Sequence, residues 1–182
     1  MTPMLDAGRS VLVLVDYQAR LMPALEGGAA ALARAHRLAK GARILGVRIV
    51  TTVQNPEGLG PGDAALDALA DARLDKRHFD GCADGLVALL AGPGSDPPTD
   101  VLVAGCETHV CLAQSARGLL WAGFQVHVAA DACASRHASD REAALARLRD
   151  EGCRLSTVEM ALFEWLGSCD HPRFREVLAV VK

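Results

Sequence analysis

Short Val-rich runs alternate along this chain with longer stretches in which apolar residues return every three to four positions. Residues 11–15, 47–53, 101–104 and 125–129 read as strands, with a weaker one expected at 154–158. Near-continuous apolar character of this kind marks strands covered on both faces, and alternation with helical stretches marks βαβ units around a parallel sheet. Between the runs, Leu32, Ala35, Leu38, Ala42 and Leu45 share one face of a helix expected at 29–45. Ala143, Leu145, Ala146 and Leu148 do the same at 139–151, and Gly46 and Gly152 supply the stops. A further helix is expected from about Glu107 to Ala122. The Pro- and Gly-rich segments 55–62 and 92–99 read as loops rather than linkers, because the strand–helix rhythm resumes after each.

Composition narrows the function. At 182 residues with 51% hydrophobic and 23% charged positions, one globular domain covering 1–182 is expected, and disorder is excluded. A net charge of −3 and only 4% aromatics argue against a nucleic-acid partner, which needs a basic face or stacking platforms. No apolar run approaches the roughly 18 residues of a membrane span. The opening MTPMLDAGRS lacks the charged-then-apolar layout of a secretory leader. Six cysteines without C-x-x-C spacing read as reduced thiols of a cytoplasmic protein.

In a parallel sheet the ligand site lies beyond the carboxyl ends of the strands. Asp16, Gln54 and the segment GCETHVC stand there. A dinucleotide site would need G-x-G-x-x-G after the first strand, where the chain has DYQARLMP, and this weighs against a nucleotide-binding module. Cys111, in the first turn of a helix, meets the positive end of the helix dipole, which lowers a thiol pKa and suits a nucleophile. A small buried core residue is the alternative. Asp16 reads as a base for that thiol or as a helix cap, and Lys76 by default as a solvated lysine. The residues alone leave these alternatives open.

Taken together, Asp16 in LVLVDYQARL, Lys76 in KRHFDGC and Cys111 in AGCETHVC, with VQNPEGLG, VHVAADACASR and TVEMALFEWLG, resemble the isochorismatase-like cysteine hydrolases over nearly the whole chain. The likeness is greatest to the small isochorismatase-domain proteins of unassigned substrate. It implies a three-layer α/β/α sandwich with a mostly parallel, Rossmann-like central sheet. It further implies Asp16 as general base, Lys76 as activating cation and Cys111 as nucleophile forming a thioester. The Cys106–Glu107 peptide would be cis, with the N–H groups of Glu107 and Cys111 as oxyanion hole and Thr108 buttressing the turn. Gln54, Phe79, Thr108 and His109 would line a substrate pocket.

Nicotinamidase-like members carry an Asp and several His after the second strand to hold a metal. Here that segment reads TTVQNPEGLGPGD, so no metal and no cofactor are expected. The expected reaction is cleavage of a small, neutral, amide-like C–N bond, with a non-catalytic or redox-sensing thiol protein as the alternative. Asp131 and Arg136 read as a turn-stabilising pair. Phe174, Val177, Leu178 and Val181 at helical spacing, with Trp165 upstream, suggest more apolar surface than the tail needs, and a homo-oligomer, dimer or larger, is expected.

Overall fold

The computed structural model describes residues 4–182. The reading of MTPMLDAGRS as no leader falls partly on residues 1–3, outside the described residues. Six strands form one parallel sheet: β1 Ser10–Val15, β2 Arg48–Gln54, β3 Ala72–Lys76, β4 Asp100–Gly105, β5 Gln125–Ala129 and β6 Arg154–Ser156, in the order β3-β2-β1-β4-β5-β6. Every strand pair is parallel. The helices are α1 Gly28–Ile44, α2 Pro56–Leu59, α3 Ala64–Asp67, α4 Leu86–Leu90, α5 Ala113–Trp121, α6 Ala138–Asp150, α7 Val158–Leu166 and α8 Phe174–Val181.

Strand alternation sorts the core into two layers. In β1, Leu12 and Leu14 face α1, α7 and α8, while Val11, Val13 and Val15 face α4, α5 and α6. Every β1 residue is therefore buried, which is why no polar alternation shows in the sequence. The order reverses between β1 and β4, and the chain ends of these two strands open the crevice where sites form in such sheets. Gly105 ends β4 because a Cβ there would stand 2.3 Å from the Val15 carbonyl oxygen.

The sequence reading missed β3. ARLDK is a short edge strand in which Arg73 and Asp75 are exposed, and Lys76 falls on the inward phase with Ala72 and Leu74. The expected loop at 55–62 contains the short helix α2. The tail also differs from expectation. Trp165 and Val177 are buried, and Phe174 and Val181 pack against the same core as α1, so this surface is consumed within the chain. It provides no reason for assembly. Asp131 and Arg136 do not pair with each other: Asp131 lies 2.7 Å from Arg34, and Arg136 lies 3.2 Å from Glu107.

His127 sits inside β5, 4% exposed, and its Nε2 has no hydrogen-bond partner. Burial, aided by the Arg154 charge, holds its pKa down at about 4 against an ordinary 6.5. Between these values the unfolded chain binds a proton that the folded chain refuses, so stability falls as pH drops through that window. The shift corresponds to at most about 3 kcal/mol. Melting temperatures measured against pH should fall less steeply there for His127→Leu than for the wild type. Parallel curves would refute the assignment.

Candidate active site

Four strand ends converge on one buried polar cluster. Asp16 follows β1 and is left-handed (φ 53), a conformation that Asp tolerates better than most residues. Its amide donates to the Thr52 carbonyl at 3.1 Å, and its Oδ1 accepts from the Thr52 hydroxyl at 2.7 Å. Lys76, the last residue of β3, brings Nζ to 2.7 Å from Asp16 Oδ2, both side chains being wholly buried. Both charges of this ion pair are withdrawn from solvent. Gln54, the last residue of β2, accepts from Lys76 Nζ at 2.5 Å. The Phe79 and His78 carbonyls stand at 3.5 and 3.4 Å from the same ammonium.

Cys111 enters from the far side of the switch point. After β4 the Cys106–Glu107 peptide bond is cis. The chain then makes a π-helical turn, Thr108–Leu112, before α5 begins. The Leu112 amide reaches back five residues to the Glu107 carbonyl at 3.3 Å. Single π-turns of this kind recur at functional sites. The Cys111 thiol lies 3.8 Å from Gln54 Oε1 and interacts with both Asp16 and Lys76. The structure thus brings together Asp16, Lys76 and Cys111, which are far apart in sequence.

One electrostatic expectation is reversed. Burial pushes the Cys111 thiol up to about 12; the Asp16 charge adds to the rise, and Lys76 opposes it. A helix dipole supplies roughly 0.3–1 kcal/mol, less than one pKa unit, and burial outweighs it. The resting group is therefore a thiol rather than a thiolate.

The expected pocket residues separate. Thr108 is wholly buried and donates to the Ala134 carbonyl at 2.9 Å, which ties the turn to the segment after β5. Gln54 is 7% exposed, with its amide groups already engaged, so it is part of the cluster rather than an open wall. Phe79 is 51% exposed. His109 is half-buried, pairs with Ser135 Oγ at 3.0 Å, and borders a cavity of about 430 Å³ between α5 and α6. Sequence reasoning passed over Thr52 and Gln18, both buried. Their signal was available: polar side chains in or beside otherwise apolar strands need partners. Among the described residues no group of three or more His, Cys, Asp or Glu is arranged to hold a metal ion. No helix among them is long and apolar enough to cross a membrane. All six cysteines are free.

Comparison with known proteins agrees with this architecture. Residues 10–160 match the isochorismatase domain. The chain is 37% identical over 175 residues to isochorismatase domain-containing protein 2A of Mus musculus, covering 95% of this chain and 82% of that protein. It is 38% identical over 181 residues to isochorismatase domain-containing protein 1 of Danio rerio, covering 98% of this chain and 62% of that longer protein. The solved structure of MAR1 ribonuclease from Caenorhabditis elegans superposes with a TM-score of 0.90 at 29% identity, over 98% of this chain and 92% of that one. The domain match and these identities, on a parallel six-stranded sheet of the same fold, establish that the chain belongs to the isochorismatase domain family.

Proposed function

We propose that this protein is a cofactor- and metal-independent cysteine hydrolase, one domain over residues 1–182, that cleaves a small neutral amide-like C–N bond. The observation that carries the reading is the wholly buried Asp16–Lys76 ion pair at 2.7 Å, in contact with a thiol. Burying two charges costs several kcal/mol per ion, and apolar residues of similar volume usually serve stability as well. Chemistry is the better reason to keep such a pair.

In the first half, Cys111 Sγ attacks the carbonyl carbon as its proton passes to Asp16. The N–H groups of Glu107 and Cys111 hold the oxyanion, and the Lys76 ammonium offsets the charge of the attacking sulfur. Asp16 then returns the proton to the leaving nitrogen as the C–N bond breaks, leaving a thioester. In the second half Asp16 takes a proton from water, whose oxygen attacks the thioester carbon. The C–S bond breaks, the sulfur recovers a proton, and the carboxylic acid departs. A raised thiol pKa fits this scheme, because the proton moves only when an acceptor and an electrophile are both in place.

A redox-sensing role fits less well, since sensor thiols are accessible and have low pKa values. Cys111 is 7% exposed and held as a thiol. A small substrate rather than nucleic acid is favoured by the net charge of −3 and the 4% aromatic content. Neutral substrates are favoured because Lys76 is spent on Asp16 and Arg136 on Glu107, leaving neither to clamp a carboxylate. We place the protein in the cytoplasm as a homo-oligomer. YcaC of Escherichia coli, 22% identical with a TM-score of 0.75 over 98% of this chain and 87% of that one, is an octameric hydrolase of unknown specificity.

The test is incubation with a panel of small neutral and anionic amides and with RNA, with and without chelator, while mass spectrometry follows Cys111. The expected result is an acyl adduct on Cys111 from a neutral amide, unaffected by chelator and absent in Cys111→Ala. Turnover of an amide or RNA that survives Cys111→Ala would overturn the reading. A 19 kDa species by light scattering of the same samples would remove the oligomer.

A further inference from the structure

We infer that Gln54 is a positioning residue that aims the Lys76 ammonium at both Asp16 and the Cys111 sulfur, and that it does so as a neutral amide whose orientation the fold dictates. The inference rests on the cysteine-hydrolase reading above and adds a fourth member to its machinery.

The orientation follows from hydrogen-bond chemistry. Gln54 Nε2 lies 2.7 Å from the Arg77 carbonyl oxygen, which can only accept, and Oε1 lies 2.5 Å from Lys76 Nζ, which can only donate. A flipped amide would set donor against donor and acceptor against acceptor. The backbone beneath is fixed in the same way. The Gln54 amide donates to Gln18 Oε1 at 2.9 Å, and Gln18 Nε2 donates to the carbonyls of Gln54 at 3.0 Å and Gly60 at 2.7 Å. Gln18 therefore holds both the backbone N–H and the backbone carbonyl of Gln54. Because Arg77 directly follows Lys76, the same side chain that receives the ammonium also grips the backbone from which that lysine extends.

Charge explains why the residue is an amide. One ammonium faces one carboxylate in a wholly buried cluster, and Gln54 adds an acceptor without adding charge. A glutamate of the same shape would place a second negative group beside the sulfur, 3.8 Å from its acceptor atom, and would oppose formation of the thiolate. Loss of the acceptor would leave Lys76 with Asp16 and two distant carbonyls, and its direction toward the thiol would no longer be set.

The experiment measures the rate of Cys111 alkylation by iodoacetamide at about pH 8, well below the thiol's midpoint, where the rate follows the thiolate fraction, with peptide mass spectrometry resolving it from exposed Cys169. Gln54→Glu is expected to lower the Cys111 rate about tenfold, with the Cys169 rate unmoved. Lys76→Met is expected to lower the rate in the wild-type background and to lower it by less than the square root of that factor in Gln54→Met, because the two residues act as one unit. A Gln54→Glu rate within about 1.5-fold of wild type overturns the inference. So does an undiminished Lys76→Met factor in Gln54→Met, the arm that decides if Gln54→Glu does not fold. Should Lys76→Met and Asp16→Asn both leave the wild-type rate unchanged, the hydrolase reading fails as well. If they change it and the Gln54 variants do not, only the role of Gln54 is lost.

Discussion

Asp16→Asn is expected to lower kcat/KM for the responsive amide by about a thousandfold, within the range that a positioned general base supplies. The substitution keeps the shape and an oxygen to accept from the Thr52 hydroxyl, which now donates to Oδ1 at 2.7 Å. It removes the group that takes the thiol proton. That proton needs an acceptor because burial holds the thiol pKa at about 12, leaving almost no thiolate at neutral pH. The variant should fold, since Lys76 retains Gln54 Oε1 at 2.5 Å, with weaker help from the carbonyls at 3.4 and 3.5 Å, but it should melt earlier than wild type. Steady-state kinetics with circular dichroism on the same sample checks both parts. A folded Asp16→Asn retaining most of its activity would take the carboxylate out of the proton path.

The second large effect is on stability. Lys76→Met fills a similar volume but strands the Asp16 carboxylate, wholly buried, with the Thr52 hydroxyl and no counter-charge. Breaking a buried pair from one side costs about 3–5 kcal/mol, whereas removing both charges is often neutral. Lys76→Met should therefore be destabilised by about that amount in denaturant melts. Asp16→Asn/Lys76→Met should recover most of the loss while staying inactive. A double variant no more stable than Lys76→Met would mean that the ion pair itself holds the fold together, which would remove the main reason for reading it as catalytic.

Much of the architecture was legible because it depends on local patterns. β1, β2, β4 and β5 stand within a residue or two of their expected positions, since an apolar run covered on both faces has no other economical conformation. The helices at 28–44 and 138–150 followed from apolar spacing and terminal glycines in the same way. β3 was not legible at that level. It is a short edge strand with two exposed charges, and its alternation acquires meaning only once β2 stands beside it.

The site divides along the same line. Residue type and position beyond a strand end brought Asp16, Gln54 and Cys111 forward from the sequence, and the family resemblance added Lys76, whose local context reads as solvated. What the sequence determined is which side chains stand at the ends of β1, β2 and β4, because the length and phase of these apolar strands are encoded within a few neighbouring residues. Tertiary structure alone decided what those side chains meet. Parallel pairing in the order β3-β2-β1-β4 carries Lys76 to within 2.7 Å of Asp16, sixty positions earlier, and sets Gln54 between Lys76 and the thiol. It also reversed the electrostatics of Cys111. A helix start acts locally and favours thiolate, but desolvation depends on everything packed around the sulfur, and here it is the larger effect.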